Sequence, residues 1–300
     1  MIDMHMHTTY SDGDKSLEEV LIKCEYKKLE YISITDHNTC KAYDDKNIRN
    51  NKIFSGKIIK GVEMNAEFKG KKIEMLGYNI KNTDIINEWS NQFFSEEILR
   101  KQQETSKKRL LDICDKKGLI YDENKFKIDI PLTDYITVYI GKELLSHKEN
   151  REILGELYES LNTFIRKGLM NPDSEYYTGN DTTLKPMYKD VVNIIHKAGG
   201  LAFLAHPFEY RIENTIDFIA QLLAEEKLDG IECFHPSSEL DNRSNILINY
   251  ARENKLFISG GSDFHGNKKP NIDIGVGAGT LNISKKIYRR MDIIILMIND

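Results

Sequence analysis

Met1-Ile-Asp-Met-His5-Met-His7-Thr-Thr-Tyr-Ser-Asp12 opens the chain. It reads as a short strand ending in His-x-His, followed by a Ser-Asp-Gly turn. Side chains at i and i+2 of a strand leave the same face, so His5 and His7 aim two imidazoles at one point. Neutral imidazole is the commonest side-chain metal ligand. Asp12 is near enough to add an oxygen, and Gly13 completes the turn.

Further apolar segments end in the same kinds of residue. Tyr31-Ile-Ser-Ile-Thr-Asp36-His37 is a second strand, Ile58 to Glu63 a third, Lys72 to Tyr78 a fourth and Leu201 to His206 a fifth. Asp229 to Phe234, Leu256 to Gly260 and Gly275 to Leu281 complete the series. Helices lie between them. Ser16-Leu-Glu-Glu19 is a capping box, and Leu17, Val20, Leu21 and Cys24 follow at helical spacing. Met187 to Ala198, Thr215 to Glu226 and Asn242 to Asn254 are further helices. Seven or eight strands alternating with helices predict a parallel α/β arrangement, closed as a β/α barrel. Chemistry in such barrels sits at the C-terminal ends of the strands, where His5, His7, His37, Glu63 and His206 fall. Asp263 and His265 follow the next-to-last strand.

Between about Glu88 and Pro186 the rhythm breaks. One long helix is predicted over Arg100–Lys117, stopped at Gly118, and another over Arg151–Lys167. Residues 1–87 and 187–300 are therefore assigned to the barrel, and 88–186 to an inserted helical subdomain, a lid or substrate-binding element.

Bulk properties narrow the functional classes. The chain has 300 residues, 40% hydrophobic and 30% charged, with a formal net charge of −5. No global basic field draws it to nucleic acid or anionic membranes, so an anionic substrate needs a local site. The longest apolar run, Ile293 to Ile298, is too short to span a bilayer and reads as a buried helix or strand. No basic region followed by an apolar run marks a signal peptide. Four scattered cysteines, Cys24, Cys40, Cys114 and Cys233, suggest free thiols in a reducing compartment, and the expected location is cytoplasmic. No protein partner is predictable.

Five histidines (His5, His7, His37, His206, His265) and three carboxylates (Asp12, Glu63, Asp263) exceed the needs of one tetrahedral ion, so two or three divalent ions are expected. Mixed imidazole and carboxylate ligands suit zinc, manganese or iron. Clustered ions clamp the oxygens of a phosphate ester and lower the pKa of water toward neutrality. Metal-assisted phosphoester hydrolysis is the favoured chemistry, with amide hydrolysis its neighbour. Glu63 can bridge two ions, and Asp263 or a ligand histidine can relay a proton. Asp36, beside His37, is expected to orient an imidazole. His235 and Arg211 lie on the rim and are candidates for substrate contact, as are Gly13 and Arg100. His147 and His196 read as structural.

His5-x-His7, Ser11-Asp12-Gly13, Thr35-Asp36-His37-Asn38, Gly61-Val62-Glu63, Leu204-Ala-His206-Pro207 and Gly261-Ser-Asp263-Phe-His265 together resemble the successive motifs of the PHP (polymerase and histidinol phosphatase) superfamily, over about residues 1–80 and 187–280. The resemblance implies a distorted (β/α)7 barrel with a trinuclear metal centre of nine ligands. By that resemblance His5, His7, Glu63 and Asp263 hold one ion, and Asp12, His37 and His265 a second. Glu63 and His206 hold a third, with one ligand from the fourth strand. That ligand is commonly His in His-x-x-Gly; here Glu74 takes its place before Gly77. The insert, Ala198-Gly-Gly-Leu201 and Ser262 to Gly266 look most like small phosphatases acting on AMP and nucleoside 3′,5′-bisphosphates. Some of that branch also trim short RNA from its 5′ end. Relatives often carry paired arginines on the first insert helix and an Arg-x-His-like segment after it. This chain has Gln103 and Ser106 instead, with Arg100 and Lys107-Lys108-Arg109 nearby, and Thr133 to Thr137 in the later segment.

The leading expectation is thus hydrolysis of a small phosphomonoester, plausibly a nucleotide. The alternatives are a 5′-3′ exonuclease on short oligonucleotides, using Tyr135, Tyr139, Tyr176, Tyr177 and the insert's basic residues, a histidinol phosphate phosphatase, and a non-catalytic metal-binding module.

Overall fold

The computed structural model describes residues 1–126, 135–171, 173–178, 186–239 and 242–284. Backbone contacts divide the chain into two compact units, Met1–Gln92 with Lys185–Asp300, and Phe93–Leu184. The apolar run at 293–298, and Thr133 and Asp134, lie outside the described residues.

The first unit is a seven-stranded sheet in sequence order: β1 (Ile2–Asp3), β2 (Tyr31–Ile34), β3 (Lys57–Phe68), β4 (Lys71–Tyr78), β5 (Leu201–Leu204), β6 (Gly230–Phe234) and β7 (Phe257–Gly260). The stretches after β7 and β1 pair across the remaining gap. Met4 N–H donates to the Gly260 carbonyl at 3.2 Å, His7 N–H to Phe264 at 2.9 Å, and Asp263 N–H to His5 at 2.8 Å. The sheet thereby becomes a nearly closed barrel.

Alternation sorts the strand side chains onto two faces. Ile2, Met4, Ile59, Leu76, Tyr78, Phe203 and Ala205 form a buried cluster without helical members, which fills the interior. Val62, Met64, Ile73, Met75 and Leu204 pack outward against the helices, where Leu17, Val20, Leu21, Cys24, Val191, Ile195, Ile219 and Leu222 meet them. Each such aliphatic side chain contributes roughly 1.5–3 kcal/mol on burial. The helix Leu17–Tyr26 begins in the expected capping box, with Ser16 and Glu19 capping each other.

Three expectations for this unit are corrected. The fourth strand is antiparallel to both neighbours, because only Lys69 and Gly70 join it to β3. Both have positive φ, 50° and 75°, which suits a two-residue hairpin turn and excludes the crossover a parallel strand needs. Next, Gly275–Leu281 is not a strand: it folds into turns, with an isolated Asp273–Gly277 bridge. Its three glycines, Gly275, Gly277 and Gly279, all take positive φ, which an extended strand does not allow. Finally, Glu63 lies midway along β3 rather than at its end. It is nonetheless level with the rim, because the shorter β2 stops below it and His37 bridges to it.

In the second unit, the helix Glu96–Lys117 ends at Gly118 in the left-handed conformation. The helices Glu96–Lys117 and Ile136–Ser146 bury Leu110, Leu111, Cys114, Ile140 and Leu144. The expected continuous helix over Arg151–Lys167 is broken into short turns. Gly155 adopts φ 54°, ψ −124°, which ends the first, and Ser160 caps a new start by accepting from Thr163 N–H.

Candidate metal centre

The strand ends bring three donor groups together. The first comprises His5, His7, Glu63 and Asp263, the second His7, Asp12, His37 and His265, and the third Glu63, Glu74 and His206. In the first group, His5 Nε2 and His7 Nε2 are 3.2 Å apart. Glu63 Oε2 is 3.1 Å from each, and Asp263 Oδ1 is 3.5 and 3.4 Å from them. A tetrahedron of ligands at zinc-like distances has edges of about 3.3–3.4 Å, so these four atoms already stand where one ion would hold them. Two imidazole nitrogens facing each other so closely among carboxylate oxygens have no comparable purpose as a mere polar cluster.

The second group is looser. Asp12 lies 3.5 Å from His7 Nδ1, 3.7 Å from His37 Nε2 and 3.3 Å from His265 Nε2. His265 Nδ1 donates to the Asp263 carbonyl at 2.9 Å, leaving the Nε2 lone pair for the site. In the third group His206 Nε2 is 2.8 Å from Glu63 Oε1 and 3.4 Å from Glu74 Oε2. Glu63 therefore turns one oxygen into the first group and the other into the third. His37 Nδ1 and His206 Nδ1 are buried without a hydrogen-bond partner. The donor set fits divalent ions bound through imidazole and carboxylate.

Electrostatics follow from crowding these groups out of water. Burial alone would lower the His7 pKa, but hydrogen bonds to Asp263 and Glu63 and the charge of Asp12 push it up to about 10. His206, likewise opposed by burial, rises to about 9 beside Glu63. Burial resists ionisation of Glu63 and Asp263, yet the neighbouring cations hold both carboxyls well below their ordinary range. The metal-free pocket is thus a mutual stand-off of imidazolium and carboxylate.

The remaining candidates separate clearly. His235 is buried at the end of β6, with Nε2 3.3 Å from Asp263 Oδ2. Its Nδ1 accepts from Ser237 N–H at 3.1 Å, so in the neutral ring the proton sits on Nε2, toward Asp263. Gly13 packs its backbone under His7, where a Cβ would lie 2.7 Å from the His7 carbonyl carbon. Arg211 is exposed at the left-handed cap of the Pro207–Tyr210 turn. Arg100 lies in the second unit and pairs with Glu96 one helical turn away. His147 bonds Glu143, and His196 bonds Asp229.

Asp36 differs from expectation. Rather than orienting an imidazole, it accepts from Thr8 N–H (2.8 Å), Thr8 Oγ1 (2.7 Å) and Ser11 Oγ (2.6 Å). It clamps the loop that carries Asp12. Three residues were not singled out from sequence. Asp3, fully buried, accepts from His5, Ser262 and Gly275 N–H and ties β1 to the loop bearing Asp263. Lys269 pairs with Asp263 Oδ2. Glu232 is fully buried behind His5. An acidic residue inside the apolar strand Gly230–Phe234 was the one signal available for it.

Clustered imidazole and carboxylate donors at the rim of a seven-stranded barrel define a metal-dependent hydrolase. The profile of the PHP domain matches residues 3–242, and the chain belongs to that phosphoesterase family. It is 26% identical over 274 residues to a 5'-3' exoribonuclease of Haemophilus influenzae, covering 88% of this chain and 89% of that one. It is 29% identical over 141 residues to a 3',5'-nucleoside bisphosphate phosphatase of Chromobacterium violaceum, covering 46% and 47%. The fold matches that of a Bifidobacterium adolescentis protein assigned as a metal-dependent phosphoesterase. That likeness has a TM-score of 0.69 and 20% identity, and covers 96% of this chain and 94% of the other.

Proposed function

We propose that this phosphoesterase hydrolyses the monoester of a small phosphorylated metabolite, a nucleotide such as AMP or a nucleoside 3′,5′-bisphosphate, with three divalent ions of manganese, zinc or iron. The observation that carries the reading is Glu63, whose two oxygens serve two adjoining donor groups, while His7 is shared with the remaining group, so that the three sites adjoin as one centre. Bound ions would polarise the phosphate oxygens and make water a nucleophile near neutral pH.

Charge supports an anionic ester. The donor set has four carboxylates, Asp12, Glu63, Glu74 and Asp263. Three divalent ions would outweigh them, so the loaded centre would attract a negatively charged phosphate ester.

The chain's own groups divide the work. Asp12, His37 and His265 would hold one ion, His5, His7 and Asp263 with Glu63 a second, and Glu74 and His206 with Glu63 a third. Asp263 offers Oδ1 to the centre and keeps Oδ2 on His235 and Lys269. The Lys269 ammonium, which has N–H groups beyond the one turned to Asp263, is therefore the group placed to meet a phosphate oxygen or the leaving oxygen.

A second reading, removal of nucleotides from the 5′ end of short RNA, is favoured by the exoribonuclease relative, which matches over most of both chains. Among the described residues no helix is long and apolar enough to cross a membrane, and all four cysteines are buried and free, which suits a cytoplasmic setting. Phosphate release by the manganese-loaded protein should be measured with AMP, a 3′,5′-bisphosphate and a 5′-labelled oligoribonucleotide. The expected result is inorganic phosphate from a mononucleotide. Release of mononucleotides from the oligomer alone would replace the first reading with the second.

A further inference from the structure

Glu232 is 0% exposed in the barrel interior, where an ionised carboxylate is costly unless every lone pair is used. It faces two donors. Oε1 is 2.9 Å from His5 Nδ1, and Oε2 is 2.8 Å from the backbone nitrogen of His206. His206 takes φ 21°, ψ 64°, a left-handed conformation that a residue with a side chain adopts only when its surroundings impose it.

We infer that Glu232 is a positioning residue shared by two parts of the centre. One oxygen keeps the proton of His5 on Nδ1, so that the Nε2 lone pair faces His7, Glu63 and Asp263. The other pins the strained turn that turns His206 toward Glu63 and Glu74. A carboxylate does both because it accepts on two sides and donates on neither. The inference rests on the metal-centre reading above.

Glu232→Gln tests this without changing shape. A backbone N–H can only donate, so when the amide oxygen stays with His206 the amide NH2 meets His5 Nδ1. Two donors cannot face each other. Nδ1 must then become the acceptor, which moves the proton to Nε2 and removes the lone pair from the first group. In the opposite orientation the NH2 confronts His206 N–H, and the turn is released. Both arrangements damage the centre from behind, without touching substrate.

The readouts are zinc stoichiometry and affinity by calorimetry, and the histidine ring nitrogens of the zinc-loaded protein by 15N NMR. Wild type should show His5 with a protonated Nδ1. Glu232→Gln should keep its far-UV circular dichroism while zinc affinity falls about 10–100-fold, the usual effect of removing an outer-shell partner. Should the variant lose its fold, the wild-type His5 resonance still decides, and a proton on Nε2 would overturn the inference. Unchanged zinc binding in a folded Glu232→Gln would also overturn it, leaving the centre intact. Zinc binding that is indifferent to His5→Ala would instead refute the centre itself.

Discussion

Removing the Asp36 carboxylate should dismantle the Asp12 loop before it affects the barrel. Asp36 is 1% exposed and accepts three hydrogen bonds from Thr8 and Ser11. Hydrogen bonds to a charged acceptor are worth about 1.5–3 kcal/mol each, and an orphaned buried donor costs about 1–3 kcal/mol. In Asp36→Ala the two hydroxyls can turn toward water once the loop loosens, but the Thr8 N–H cannot. A loss of about 3–5 kcal/mol follows, less than the sum of three full bonds. Asp36→Asn keeps an oxygen for Thr8 N–H and Ser11, and its NH2 can donate to Thr8 Oγ1. It should therefore lose only about 1 kcal/mol, the charge assistance. Urea unfolding of the metal-free proteins measures both, and metal titration reports whether the site containing Asp12 is lost in the alanine variant alone. An alanine variant within about 0.5 kcal/mol of wild type, loading metal normally, would refute the clamp. An asparagine variant as damaged as alanine would point instead to a need for the charge.

Metal binding should become tighter as pH rises. In the metal-free fold His7 and His206 titrate near 10 and 9, so at neutral pH an ion must displace their protons. Calorimetry in buffers of different ionisation enthalpy should reveal net proton release. The sign for metal-free stability is opposite. The contribution of these raised pKa values is complete below the unfolded value of about 6.5 and is lost as pH climbs through 9 and 10, which thermal unfolding across that range will check. Glu74→Ala should remove one ion per chain while leaving the site with His5 and His7 occupied, as counted by elemental analysis. Gly261→Ala should destabilise by about 1–3 kcal/mol and lower metal content, because its Cβ would lie 2.3 Å from the His5 backbone nitrogen.

Much of the barrel was legible because its signals are local. The apolar runs of β1 to β7 and the Ser16–Glu19 box each act within a few residues, as does the Gly118 stop in the second unit, and the structure places them as read. Strand direction was not local in this sense. The stretch from Lys57 to Tyr78 reads as two strands with a gap, and only the positive φ at Lys69 and Gly70 reveals a hairpin. The reversal also brings Glu74 to the rim. On an antiparallel β4, Asn65 pairs with Glu74, so Glu74, Leu76 and Tyr78 share the inward face with Glu63. The broken stretch after Arg151 misled for a related reason: helical periodicity continues through Gly155 and Ser160 although the backbone does not.

The candidate donors could be read because ligand chemistry restricts residue type, and because all but Glu63 and Glu74, which lie within β3 and β4, follow a strand. The groups that hold them carry no such mark. Asp3, Asp36 and Glu232 are acidic residues next to or within apolar strands, a pattern equally compatible with ligands. What separates them is which donors surround each oxygen. Asp36 meets a backbone N–H and two hydroxyls, which fix a loop. Asp3 meets three backbone N–H groups, which tie the chain's beginning to the turns after β7. Glu232 meets an imidazole and a strained turn, and alone among the three it acts directly on a candidate ligand's proton. Buried carboxylates therefore serve this barrel in two layers, one facing the centre and one behind it. Only the partners of each oxygen, some of them from chain segments more than 200 residues apart such as His5 and Glu232, assign a residue to its layer.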